Sequence, residues 1–127
     1  MPDAVALTRP TALVAEDEAL VRVCAVEFLE ELGFAVLEAG DGLEALDLIR
    51  ACPEIALLFS DCRMPGMDGP TLAAEAVRLR PGLPVVLATG YTSTCLSAWT
   101  VLRKPYCAED VRRVLRRALP GLDQLAA

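Results

Sequence analysis

A chain of 127 residues has room for one compact core, and 54% hydrophobic residues with only 5% aromatics require a core of Val, Leu, Ile and Ala. Residues 1–97 carry 6 basic and 15 acidic side chains and residues 98–127 carry 6 basic and 3 acidic, for a net charge of −6. That acidic bulk argues against non-specific nucleic-acid binding, which needs a basic footprint.

No apolar run nears the roughly 20 residues that span a bilayer, and the first residues lack the pattern of a signal peptide. The five cysteines are odd in number and contain no C-x-x-C pair, which argues against structural zinc or a disulfide framework. Reduced, mostly buried thiols in a cytoplasmic protein fit better. Thr11–Ala15 is a short apolar run ending at Glu16, Asp17 and Glu18. From Ala19 the spacing becomes helical. Leu20, Val23, Cys24 and Phe28 share one face and Glu27, Glu30 and Glu31 another, so the first set is expected to face the core. Gly33 stands where a helix C-terminal glycine belongs. Ala35–Glu38 reads as a second strand, Gly40-Asp41-Gly42 as a turn, and Leu43–Ala51 as a helix stopped by Pro53. Ile55–Ser60 is apolar without alternation, the pattern of a strand covered on both faces.

After a loop from Cys62 to Gly69, Pro70 suits the first position of a helix reaching about Arg80. Pro81-Gly82-Leu83-Pro84 breaks the chain before a fourth buried strand, Val85–Ala88. Val101–Arg103 forms a short fifth strand, and the last helix, Glu109–Leu119, buries Val111, Val114, Leu115 and Ala118. The outer face of that helix carries Arg112, Arg113, Arg116 and Arg117, which reads as a solvated face or as a partner surface. The alternation predicts an α/β fold: a doubly wound, five-stranded parallel sheet forming one domain over 1–127, its core at about 11–119.

With the flavodoxin-like strand order 2-1-3-4-5, ligands bind where the order reverses, at the carboxyl ends of strands 1 and 3. Those ends carry Glu16-Asp17 and Asp61. Each close carboxylate pair costs on the order of 1–4 kcal/mol in repulsion. A hard divalent cation relieves it, and Mg²⁺, which takes oxygen ligands and bridges to phosphates, suits best. Such an ion would neutralise a transferring phosphoryl group while Asp61 attacks as an oxygen nucleophile. Lys104 and Thr89, just past strands 5 and 4, add a cation and a hydroxyl at the same sheet edge. The plainer reading, solvated loop acids, suits Glu18 and fails for Asp61 with Asp17, because buried strands position both. Cys62 reads as a bystander thiol. Neutralising one acid, as in Asp17→Asn, is expected to stabilise the metal-free fold by about 1 kcal/mol or more.

Four stretches in order, Glu16-Asp17-Glu18, Ser60 to Gly69 (SDCRMPGMDG), Ala88-Thr89-Gly90-Tyr91 and Lys104-Pro105-Tyr106, resemble the landmarks of response-regulator receiver domains from about Thr11 to Leu119. The resemblance implies Asp61 as phosphoacceptor, Asp17 as a direct Mg²⁺ ligand, Glu16 acting on the ion through water, and the Arg63 carbonyl as a further ligand. It also implies Thr89 and Lys104 on phosphoryl oxygens, and a cis bond before Pro105. A sensor histidine kinase would supply the phosphoryl group. Output would pass to a downstream protein or a phosphotransfer partner, with no nucleic acid and no membrane involved.

Two features depart from that family. Val101 stands where receivers commonly place a switching aromatic, and only 15 residues separate Thr89 from Lys104, so the fourth helix must be shortened. Both departures are similar to a subgroup of single-domain receivers with the Ala-Thr-Gly-Tyr motif, associated with alphaproteobacterial sensor kinases. In that subgroup the tyrosine takes over part of the switching, here Tyr91, whose plainer reading is a half-buried loop aromatic. Two other readings compete: a degenerate receiver serving as a phosphorylation-independent scaffold, and a Mg²⁺-dependent phosphohydrolase. The second lacks its acid/base, since Arg63 occupies the position two residues after Asp61. The chain is therefore expected not to be an enzyme.

Overall fold

The computed structural model describes residues 9–90 and 99–119. Strands β1 (Thr11–Ala15), β2 (Ala35–Ala39), β3 (Ile55–Asp61), β4 (Val85–Thr89) and β5 (Thr100–Arg103) form one parallel sheet in the order β2-β1-β3-β4-β5. Between and after them run α1 (Ala19–Glu31), α2 (Gly42–Ala51), α3 (Gly69–Leu79) and α4 (Ala108–Ala118). The doubly wound parallel sheet and its strand order are those the sequence predicts. The shortened helix expected between β4 and β5, and Tyr91 with it, fall outside the described residues.

Side chains alternate across a strand, so a run that is apolar throughout feeds two cores at once. Leu13, Ala15, Leu58 and Leu87 go to one face, where Ile49 of α2 and Leu72 of α3 cover them. Val14, Phe59 and Val86 go to the other, under Leu29 of α1 and Leu115 of α4. Each fully buried Leu or Ile contributes roughly 1.5–3 kcal/mol over leaving it in water. Trp99 and Val101 are half-buried and pack against the first cluster.

Local signals set the helix starts. The Asp41 carboxylate accepts from the Glu44 amide at 2.8 Å while Glu44 accepts from the Gly40 amide at 2.7 Å, closing the entry to α2. Asp68 caps α3 by accepting from the Thr71 amide, and Pro70 sits one place later than expected because Gly69 opens the helix. Gly33, at φ 105°, takes the left-handed conformation that follows α1.

Two expectations are corrected. In α1 the buried residues are Ala25 and Leu29, followed by Leu32; Leu20 is 84% and Val23 48% exposed, Cys24 is exposed and Phe28 half-buried. The helix carries two apolar rows, and the one that continues into Leu32 and the fully buried Phe34 wins the sheet. The thiols are not mostly buried either: among the described residues Cys62 is buried, Cys52 intermediate, and Cys24 and Cys107 exposed, all four free. No helix among the described residues is long and apolar enough to cross a membrane.

Candidate functional site

The carboxyl ends of β1 and β3 lie side by side, and each delivers an acid to the same edge of the sheet. Asp61, the last residue of β3, is buried. Glu16, one residue past β1, is also buried, its amide donating to the Ala39 carbonyl at 3.0 Å so that it extends the β1–β2 ladder. Asp17 is exposed, and carboxylate oxygens of Glu16, Asp17 and Asp61 come within 4.8 Å of one another. Lys104, immediately after β5, reaches back over them. Its Nζ stands 2.7 Å from Asp61 Oδ1 and 3.8 Å from Glu16 Oε1.

Titration follows from that crowding. Burial, with the charge of Asp61 adding to it, pushes Glu16 up to about 7, against the Glu18 amide that donates to its Oε2 at 3.1 Å and against Lys104. Burial pulls Lys104 downward, but the hydrogen bond and charge of Asp61 outweigh it and hold the ammonium above its ordinary range. Burial also pushes Tyr106 up to about 12, with Glu16 and Asp61 contributing; its ring meets Phe28 and Phe59 edge-on at 6.0 Å.

The remaining sequence-selected residues line the same place. Thr89, last in β4, is buried; the Lys104 amide donates to its carbonyl at 2.8 Å, lacing the ends of β4 and β5 together. A cleft of about 240 Å³ is bounded by Asp17, Asp61, Cys62, Arg63, Thr89 and Lys104. Arg63 is exposed on its rim. Burial raises the Cys62 thiol, and its side chain is hydrogen-bonded to that of Thr89. The Lys104–Pro105 peptide bond is cis.

Two supports of this edge escaped the sequence reading. Arg22, in the first turns of α1, donates through Nη1 to the Glu16 carbonyl at 2.7 Å. Gly69 donates its amide to the Cys62 carbonyl at 2.9 Å, and a Cβ there would meet the Asp61 carbonyl oxygen and come within 2.8 Å of Cys62 Cα. For Gly69 a signal existed, glycine directly ahead of a helix-starting proline. Arg22 had none, because its partner is a backbone oxygen.

The donor set suits a hard cation. Three carboxylates converge, two of them buried, and burial with the charge of Asp61 raises Glu16 well above the ordinary carboxylate range. Asp61 offers a nucleophilic oxygen within reach of the cleft, with an ammonium and a hydroxyl beside it.

The family model for the response regulator receiver domain matches residues 12–116. Sensor kinase CckA of Brucella abortus is 31% identical over 121 residues, covering 89% of this chain but 13% of that protein, so the chain spans well under two thirds of this relative. The response regulator receiver protein CpdR of the same organism is 31% identical over 114 residues, 84% of this chain and 94% of CpdR. Chemotaxis protein CheY4 of Vibrio cholerae superposes with a TM-score of 0.82 at 25% identity, over 88% of this chain and all of that one.

Proposed function

The chain belongs to the response regulator receiver domain family, and on that premise we propose that Asp61 takes a phosphoryl group from a histidine of a sensor kinase, with Mg²⁺ held by Glu16, Asp17, Asp61 and the Arg63 carbonyl. The observation that carries the reading is the pairing of buried Asp61 with Lys104 Nζ at 2.7 Å, inside a group of three carboxylates at the carboxyl edge of the sheet. When bound, the cation supplies charge neutralisation for the phosphoryl oxygens.

The chain's own residues do the rest. An Asp61 carboxylate oxygen forms the new O–P bond as the N–P bond to the donor imidazole breaks, and the imidazole leaves with the electron pair. Lys104, already turned to Asp61, keeps a positive charge beside the incoming group. Thr89 offers its hydroxyl to a phosphoryl oxygen, giving up the bond it makes with Cys62. The domain acts as one signalling unit over 1–127 in the cytoplasm. It is not itself an enzyme, and its output is binding to a downstream protein or onward phosphotransfer. The donor docks on α1: Leu20 and Val23 lie exposed beside an apolar cavity of about 410 Å³ lined by Val21, Cys24, Phe28, Lys104, Pro105 and Tyr106, and Lys104 joins that surface to the acceptor.

Intact mass after incubation with acetyl phosphate and Mg²⁺ tests the reading. One phosphoryl group should be gained by the wild type and lost in Asp61→Asn or in chelator. No gain, even with sensor kinases supplied, would replace it with the scaffold reading, in which the unmodified domain does the binding.

A further inference from the structure

We propose that Arg22 is a positioning residue for the acidic pair, locking the Glu16–Asp17 peptide into the orientation that binds the cation; the inference rests on the metal reading above. Arg22 reaches the backbone of this pair from the neighbouring helix. Its Nη1 donates to the Glu16 carbonyl at 2.7 Å while its Nε donates to Glu38 Oε1 at 3.0 Å. Glu38 lies on β2, in register with Val14 of β1. The fork therefore ties three elements at one point: the loop after β1, helix α1 and strand β2.

A peptide unit is planar, so fixing its oxygen fixes the direction in which the next Cα leaves. The oxygen of Glu16 belongs to the unit whose nitrogen is that of Asp17. The amide of Glu16 is already held by Ala39 and its carboxylate by the Glu18 amide. With Arg22 on the carbonyl, every polar group of Glu16 is engaged, and exposed Asp17 is aimed by the backbone beneath it. The planar guanidinium matters because a lysine at this place reaches the carbonyl or Glu38, not both.

The proposal makes a prediction opposite in sign to simple electrostatics. A guanidinium this near the carboxylates repels a divalent cation, so deleting its charge alone would tighten Mg²⁺ binding. Loss of positioning weakens it, by roughly 10-fold or more on the scale seen when outer partners of ligands are removed. The test is calorimetric titration of Mg²⁺ into metal-free wild type, Arg22→Gln, Arg22→Lys and Glu38→Gln, with urea midpoints measured alongside. Glu38→Gln, which removes the charge of the ion pair while its Oε1 still accepts from Arg22 Nε and the carbonyl bond stays, keeps the fork and should bind within about 2-fold of wild type, as an exposed ion pair is worth little. Arg22→Lys should fall between wild type and Arg22→Gln, and it carries the test alone if Arg22→Gln does not fold. Binding by the Arg22 variants as tight as wild type, or tighter, overturns the proposal. A wild type that takes up no Mg²⁺ overturns the metal reading itself, and this inference with it.

Discussion

Helices α1 and α4 lie over the same face of the sheet and share one hydrophobic cluster, yet they divide their residues in opposite ways. Helix α4 buries Val111, Val114 and Leu115 and turns its arginines outward, two of them paired with Glu109 and Asp110 one turn back. Helix α1 buries Ala25 and Leu29 and leaves Leu20 and Val23 in water. Each issues from a loop of the site, α1 from the one with Glu16 and Asp17, α4 from the one with Lys104. The difference teaches that an apolar row on a helix marks a surface that avoids water, and only the fold decides whether the sheet or another protein covers it. In α4 the apolar row serves folding. In α1 one row serves folding and the second stays in water, on the helix that follows the Glu16–Asp17 loop.

Substitutions can break that contrast. The largest effect is expected in α4: Leu115→Ala should lower the free energy of unfolding by about 2–5 kcal/mol, the usual range for a buried leucine. The fraction still folded should label with acetyl phosphate at the wild-type rate, read by urea titration and intact mass. A labelling rate that falls in step with stability would mean that α4 shapes the site as well as the core.

Next comes the pair of loops. Burial and Asp61 raise Glu16 from 4.5 to about 7 in the folded chain, so between those pH values the folded state binds more protons than the unfolded one. Stability of the metal-free protein should then fall as pH rises through that window. Glu16→Gln should flatten the slope in urea titrations at pH 4.5 to 7.5. An unchanged slope in that variant would assign the pH dependence elsewhere. The crowding takes in Glu16, Asp17 and Asp61, whose carboxylate oxygens come within 4.8 Å of one another, and Glu16 is the buried member of the first pair; Glu16→Gln should therefore stabilise the metal-free fold, as Asp17→Asn is expected to.

The smallest change in stability sharpens the comparison most. Leu20→Ser should alter unfolding by no more than about 0.5 kcal/mol, as for other exposed positions. Transfer from a sensor kinase should slow by roughly 10-fold if Leu20 anchors the donor, while labelling by acetyl phosphate stays unchanged. A Leu20→Ser that destabilises as much as Leu115→Ala would make the two helices alike after all.

Much of this was legible in the sequence. The unbroken apolar runs of β3 and β4 announced strands covered on both faces, and Asp61, Glu16 and Lys104 stood at strand ends where the topology had to gather them. What stayed hidden depends on three-dimensional choice. Leu20 and Leu29 are equally apolar, and nothing local says which row of α1 meets the sheet. Arg22 acts on a carbonyl, and a backbone acceptor leaves no trace in side-chain patterns. Tyr91 and the shortened helix expected after it lie outside the described residues.

Gly69 has a consequence for anyone redesigning the acceptor loop. Its amide holds the Cys62 carbonyl, and any side chain there would strike the backbone of Asp61 and Cys62. The first residue of α3 is thus a gauge block set against the acceptor strand, and its thickness is that of a hydrogen atom. A library that randomises residues 62–69 to retune the lifetime or specificity of the site can vary the intervening positions, but clones that keep the acceptor in place will carry glycine at 69.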